Sequence, residues 1–135
     1  MSKYRIVHYI NNFFAGSGGE EAAGMKPEIH EGAMGPGLAL LTAFGEEYEI
    51  AATAVCGDNY FGENLEEATE ELISLIRPYA PDLFIAGPAF NAGRYGVACG
   101  TICKAVEKQL KIPVLTGMYE ENPGVDMFRK DLIVV

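Results

Sequence analysis

Four short apolar segments set what this chain can fold into, because each is bounded by glycine, proline or asparagine and helical periodicity fills the stretches between them. Residues 4–10 alternate, are rich in β-branched and aromatic side chains, and stop at Asn11-Asn12. Residues 48–56 form a second strand, and Leu83-Phe84-Ile85-Ala86 is a continuous apolar run of the kind buried on both faces of a parallel sheet. Pro113 to Met118 is the fourth. Residues 38–44 read as a short helix that begins near Pro36 and stops at Gly45. A clearer helix is capped by Asn64, turns Leu65, Ala68, Leu72, Ile73 and Ile76 inward, keeps Glu66, Glu67, Glu70 and Glu71 outside, and ends at Pro78 and Pro81. Another starts at Gly93 or Arg94 and reaches Lys111, with Val97, Ile102, Ala105, Val106 and Leu110 inward and a basic last turn. Strands alternating with helices predict one α/β domain over residues 1–135, a three-layer parallel sheet of flavodoxin-like or Rossmann-like type. Residues 125–130 suit a helical turn, and residues 132–135 begin a fifth strand at which the sequence stops, so the domain reads as the truncated N-terminal part of a longer chain.

One stretch resists this pattern. Residues 13–37 contain seven glycines and two prolines, which predicts a long functional loop rather than a regular element. Charge narrows the partners: 19 acidic against 10 basic side chains give a net charge of −9, which opposes binding to the phosphates of nucleic acid or anionic lipid. No apolar run reaches the ~18–20 residues of a membrane helix, and the first residues lack the order of a signal peptide. Three cysteines, an odd number, fit a reducing compartment better than a disulfide framework, so a cytoplasmic protein is expected.

Ligands of doubly wound sheets bind beyond the carboxyl ends of the strands. Four loops belong there: residues 11–21, 57–64, 87–96 and 117–124, each with asparagine, an aromatic and at least two glycines. That composition suits hydrogen bonding to a small neutral or anionic ligand rather than metal binding, although asparagine is also an ordinary turn former. The Gly16-Ser17-Gly18-Gly19-Glu20 stretch fails both nucleotide motifs, since it lacks a Gly-Lys-Ser/Thr ending and the Gly-x-Gly-x-x-Gly spacing, and Glu20 and Glu21 repel phosphate. Arg94, at a helix start after the third strand, is the better anion anchor, with a surface ion pair as its plain alternative. Tyr95 beside it is either packing or a hydrogen-bond donor. Cys99 and Cys103 share a helix face and read as core; Cys56 ends a strand beside the site and reads as a buried thiol before a nucleophile. His8 and His30 have no supported catalytic role, and spacing does not choose a general base among Glu20, Glu21, Asp58, Glu120 and Glu121.

Taken together, these loops resemble the component B large subunit of glycine, sarcosine and betaine reductases, the selenoprotein B family. The resemblance is carried by residues 8–16 with Gly18-Gly19-Glu20-Glu21, by Cys56-Gly57-Asp58-Asn59-Tyr60-Phe61 with residues 63–68, by residues 86–100, and by Thr116-Gly117-Met118-Tyr119 with residues 121–128. It implies a part in an anaerobic amino-acid reductase that cleaves the C–N bond of glycine or an N-methylated relative. A partner subunit supplies a pyruvoyl group that binds the amine where a Schiff base can form; the carboxymethyl fragment passes through selenocysteine to selenoprotein A, and a further component releases acetyl phosphate. This chain has neither selenocysteine nor Cys-x-x-Cys, which belong to the family's C-terminal half, so the resemblance implies no turnover by the chain alone and no cofactor of its own. Residue composition and resemblance agree on Arg94 and Asn91 as carboxylate contacts, with Asn11, Asn59, Tyr60 and Tyr119 completing the substrate-binding set; catalytic residues stay unassigned. The alternative is a non-catalytic flavodoxin-like binding or assembly module, for which flavin is a poor ligand because the first-strand loop lacks a hydroxyl-rich phosphate cradle. The choice among the three substrates and the oligomeric state, homo-oligomer included, are open at this point.

Overall fold

The computed structural model describes residues 4–11, 24–87 and 93–116. Strand β1 (Tyr4–Asn11) is followed by β2 (Glu28–Glu31), α1 (Gly37–Phe44), β3 (Tyr48–Cys56), α2 (Asp58–Glu63), α3 (Leu65–Ile76), a 3-10 turn (Arg77–Tyr79), β4 (Leu83–Ala86), α4 (Gly93–Leu110) and β5 (Val114–Thr116). The sheet order is β2-β3-β1-β4-β5, with β3, β1, β4 and β5 parallel and β2 antiparallel to β3 at the edge. The α/β class expected from the alternating segments is therefore observed. Counting parallel strands alone, the order is second, first, third, fourth, so the chain reverses direction across the sheet beside β1.

The two faces of the sheet follow from register. Ala52, Val7, Phe84 and Val114 stand side by side on one face, and the next row toward the carboxyl edge is Ala54, Tyr9, Ala86 and Thr116. These rows join the large core under α3 and α4, with Leu72, Ile73, Ile76, Ile102 and Val106. Ile6, Ile50 and Ile85 face the other way, against Leu40 and Leu41 of α1. Small residues matter in the second row: alanines on both neighbours of Tyr9 leave lateral room for its fully buried ring.

Two glycines do specific work. Gly37 opens α1, and a Cβ there would lie 3.1 Å from His8 Nδ1 and 3.2 Å from Ile50 Cδ1, so the missing side chain lets the helix lie close on the sheet. Gly87 leaves β4 with φ at 97°, a conformation glycine adopts without steric penalty; its N–H donates to Tyr9 O at 3.0 Å.

Four expectations need correction. Glu28–Glu31 is a strand inside the stretch read as loop, held by its ladder with β3 rather than by a buried pattern, since three of its four residues are exposed. Asp58–Glu63, also read as loop, forms the short helix α2, anchored by the buried Phe61. On α3, Leu65 is 42% exposed while Thr69 turns inward, its hydroxyl donating to Leu65 O at 2.7 Å. Asn64 stands at the N-cap of α3, but its side chain donates back to Tyr60 O at 3.2 Å instead of capping. The helical turn at 125–130, the strand at 132–135 and most of the glycine-rich loop lie outside the described residues.

Candidate functional site

Parallel strands end in backbone groups that no neighbour completes, and where the order reverses the flanking connections diverge to leave a crevice. Here that point lies at the carboxyl ends of β3, β1 and β4, which are Cys56, Asn11 and Ala86-Gly87. Asn11 Nδ2 donates to Asp58 Oδ2 at 3.0 Å, tying the end of β1 to the first residue of α2. Asn59 and Tyr60 follow on α2, and the Tyr60 hydroxyl donates to Glu71 Oε1 of α3 at 2.7 Å. That hydrogen bond, then partial burial and the Glu71 charge, push the Tyr60 phenol up to about 12.

Beneath this layer is a nest of buried weak acids. Tyr9 packs edge-on to Phe61 with ring centroids 6.1 Å apart and lies 6.2 Å from the Tyr95 ring on α4. Burial drives the Tyr9 phenol well above its usual value, and Cys56, Cys99, Tyr95 and Asp58 add to the effect. Tyr95 and Cys99 are raised for the same first reason, with Asp58 contributing to both. Burial, then Asp58 and Glu71, push the Cys56 thiol up to about 12, and its Sγ faces Met25 O and Gly57 O. A thiol so raised is protonated at neutral pH, so the structure gives Cys56 the buried, unreactive role. Cys99 and Cys103 are likewise buried in the core.

On the opposite face, His8 is fully buried, with Nε2 against Gly87 O and, among the described residues, no partner for Nδ1. Desolvation lowers its pKa, and the Gly87 hydrogen bond only partly offsets this. The sign of the linkage is fixed: below about 6.5 the unfolded chain takes up a proton that the folded chain refuses, so stability falls with pH at up to ~1.4 kcal/mol per unit until the lower folded pKa is reached. Urea midpoints should therefore drop between pH 7.5 and 5.5, and His8→Gln should flatten that dependence; an equal slope in both proteins would remove His8 as its source.

Of the residues expected at the site, Asn11, Asn59 and Tyr60 come together over the ends of β1 and β3. Arg94 is the second residue of α4, on the β4 side of the same edge. Asn91 and Tyr119 lie outside the described residues. Composition did not mark Tyr9; the available signal was a polar ring two residues before the end of β1. Asp58, one of five carboxylates that spacing did not separate, lies against Asn11, and the other four, Glu20, Glu21, Glu120 and Glu121, lie outside the described residues. Among the described residues, no group of three or more metal-ligating side chains occurs, and no helix is long and apolar enough to cross a membrane.

Residues 3–135 match the family described as glycine/sarcosine/betaine reductase selenoprotein B. The chain belongs to this family. It is 62% identical over its whole length to the sarcosine reductase complex component B subunit beta of Peptoclostridium acidaminophilum, covering 31% of that protein. Identity is 58% over 131 residues, 97% of this chain and 30% of the relative, to the glycine reductase complex component B subunit gamma of Symbiobacterium thermophilum. With the betaine reductase complex component B subunit beta of Peptoclostridium acidaminophilum it is 44% over 131 residues, again 97% of this chain and 30% of the relative. The chain thus spans a little under a third of the length of these relatives. No solved structure matches it.

Proposed function

We propose that this chain is the N-terminal, substrate-binding and assembly domain of a component B subunit, and that it takes part in the cytoplasmic reductive cleavage of a C–N bond in glycine, sarcosine or betaine, leading to acetyl phosphate. The observation that carries this reading is the Asn11–Asp58 hydrogen bond across the ends of β1 and β3, where the strand order reverses, in a chain whose relatives are component B subunits. The residues of this domain bind and orient. Asn11 fixes the Asp58 carboxylate, Asn59 and Tyr60 line the β3 side, and Arg94, the second residue of α4, where the helix dipole favours negative charge, receives the substrate carboxylate; Asn91 and Tyr119, outside the described residues, keep the binding role that the sequence suggests for them. The buried phenols and thiols beneath stay neutral and provide a dry floor that strengthens these charge interactions. The redox and carbonyl chemistry comes from outside this stretch: a pyruvoyl group on a partner subunit offers an electrophilic carbonyl, and selenocysteine, on a later segment and on selenoprotein A, offers a nucleophile.

In the complete component B complex, Asn11→Ala should lower kcat/KM by about tenfold, the worth of one hydrogen bond to a charged group, while subunit association is unchanged. Unchanged kinetics together with lost association would instead favour the purely structural assembly module.

A further inference from the structure

The two faces of the sheet are covered unequally. One is closed by α3 and α4, of 12 and 18 residues, whose outer sides carry exposed Glu66, Glu67, Glu70, Lys104, Glu107 and Lys108, as suits a surface that stays in water. Among the described residues, the other face has only α1, of eight residues, with Gly37 set against His8 and Ile50. No charged side chain occurs from Gly32 to Gly45, in a chain whose net charge is −9. Leu38 of α1 is 63% exposed, and Leu40, Leu41, Leu83 of β4 and Leu115 of β5 are only half-buried. Tyr4, at the amino end of the same face, is 57% exposed, its ring 5.4 Å from that of half-buried Tyr48. Tyr4, Leu38 and Leu65 are the exposed large apolar side chains among the described residues, and the first two belong to this side. A helix without a polar face is ordinarily a buried one, and apolar exposure gathered on one side marks a contact surface.

We propose that the α1 side is a docking surface, and that its occupant is the remainder of the same subunit, beyond residue 135, which lays an apolar, uncharged surface on Leu38, Leu40, Leu41 and the Tyr4–Tyr48 pair. This rests on the proposed function for the existence of that remainder, and adds where it packs. Length argues for this occupant. More than two thirds of each of the three relatives lies outside the part that this chain matches, and polypeptide joined to the domain stays beside it at high effective concentration. The absence of charge argues the same way. Partners that come and go are steered by charges, whereas a permanent contact resembles a core cut in half, and the stretch from Gly32 to Gly45 is of the second kind.

The test places the photoreactive residue p-benzoylphenylalanine at Leu38 in the complete component B complex and identifies the crosslinked peptides by mass spectrometry. The expected product has the mass of one subunit and joins position 38 to residues beyond 135. A crosslink to a second copy of the subunit, to a different subunit, or only within residues 1–135 overturns the proposal, as does the lack of any crosslink. Limited proteolysis of the same complex gives an independent reading. Leu38→Asp, at an exposed position that the domain's own fold does not need, should speed cleavage between this domain and the remainder about tenfold or more, because it removes an apolar contact with that remainder. Leu65→Asp, on the charged side, should leave the rate unchanged, and equal effects of the two substitutions would overturn the docking. Failure of the underlying reading is separately visible in the intact mass of the native subunit. A subunit of only 135 residues would overturn the proposed function itself, whereas a longer one crosslinked elsewhere overturns the docking alone.

Discussion

Phe84→Ala is expected to destabilise the domain by about 3–5 kcal/mol, the usual cost of deleting a fully buried phenylalanine that its surroundings cannot collapse onto. The site explains the size of the effect. Phe84 stands on β4 between Val7 of β1 and Val114 of β5, in the middle of the row that α3 and α4 cover. Parallel strands on both sides fix the backbone, so the cavity would stay open. Since small domains are stable by only about 5–15 kcal/mol in total, the loss should be plain as a lower urea midpoint with an unchanged slope. A cost below about 1 kcal/mol would mean that Phe84 is not central to the core.

The second large effect is functional. Arg94→Ala in complete component B should raise the substrate concentration at half-maximal rate by tenfold to a hundredfold, because a charge-assisted hydrogen bond to a carboxylate is worth about 1.5–3 kcal/mol. Arg94→Lys should recover only part of this, since an ammonium lacks the planar fork that pairs with both carboxylate oxygens. Unchanged kinetics would remove Arg94 from the site and leave its position at the start of α4 as a surface charge.

Legibility in the sequence divided along physical lines. β3 and β4 were readable to the residue, and α3 in its position and in most of its inward face though not at Leu65 and Thr69, because burial imposes a pattern: Leu83 to Ala86 is apolar throughout, and Ala68, Leu72, Ile73 and Ile76 recur at helical spacing. β2 was not readable, since Glu28-Ile29-His30-Glu31 is an exposed edge whose stability lies in pairing with β3, a contact no local pattern encodes. α2 escaped for a related reason: six residues with one buried side chain carry no period, and flanking Gly57 and Gly62 signal a turn. Asn11, Asn59 and Tyr60 were singled out by loop composition and the strand-end rule. Tyr9 was not, because its significance depends on Ala54 and Ala86 beside it and on helices far along the chain.

The central claim is that the carboxyl ends of β1, β3 and β4 hold the substrate. The most direct measurement is a structure of complete component B with its bound substrate. The account predicts ligand density within hydrogen-bonding reach of Asp58, at the edge that Asn11 and the start of α4 define. Substrate located elsewhere, with this edge buried against another part of the assembly, would contradict it.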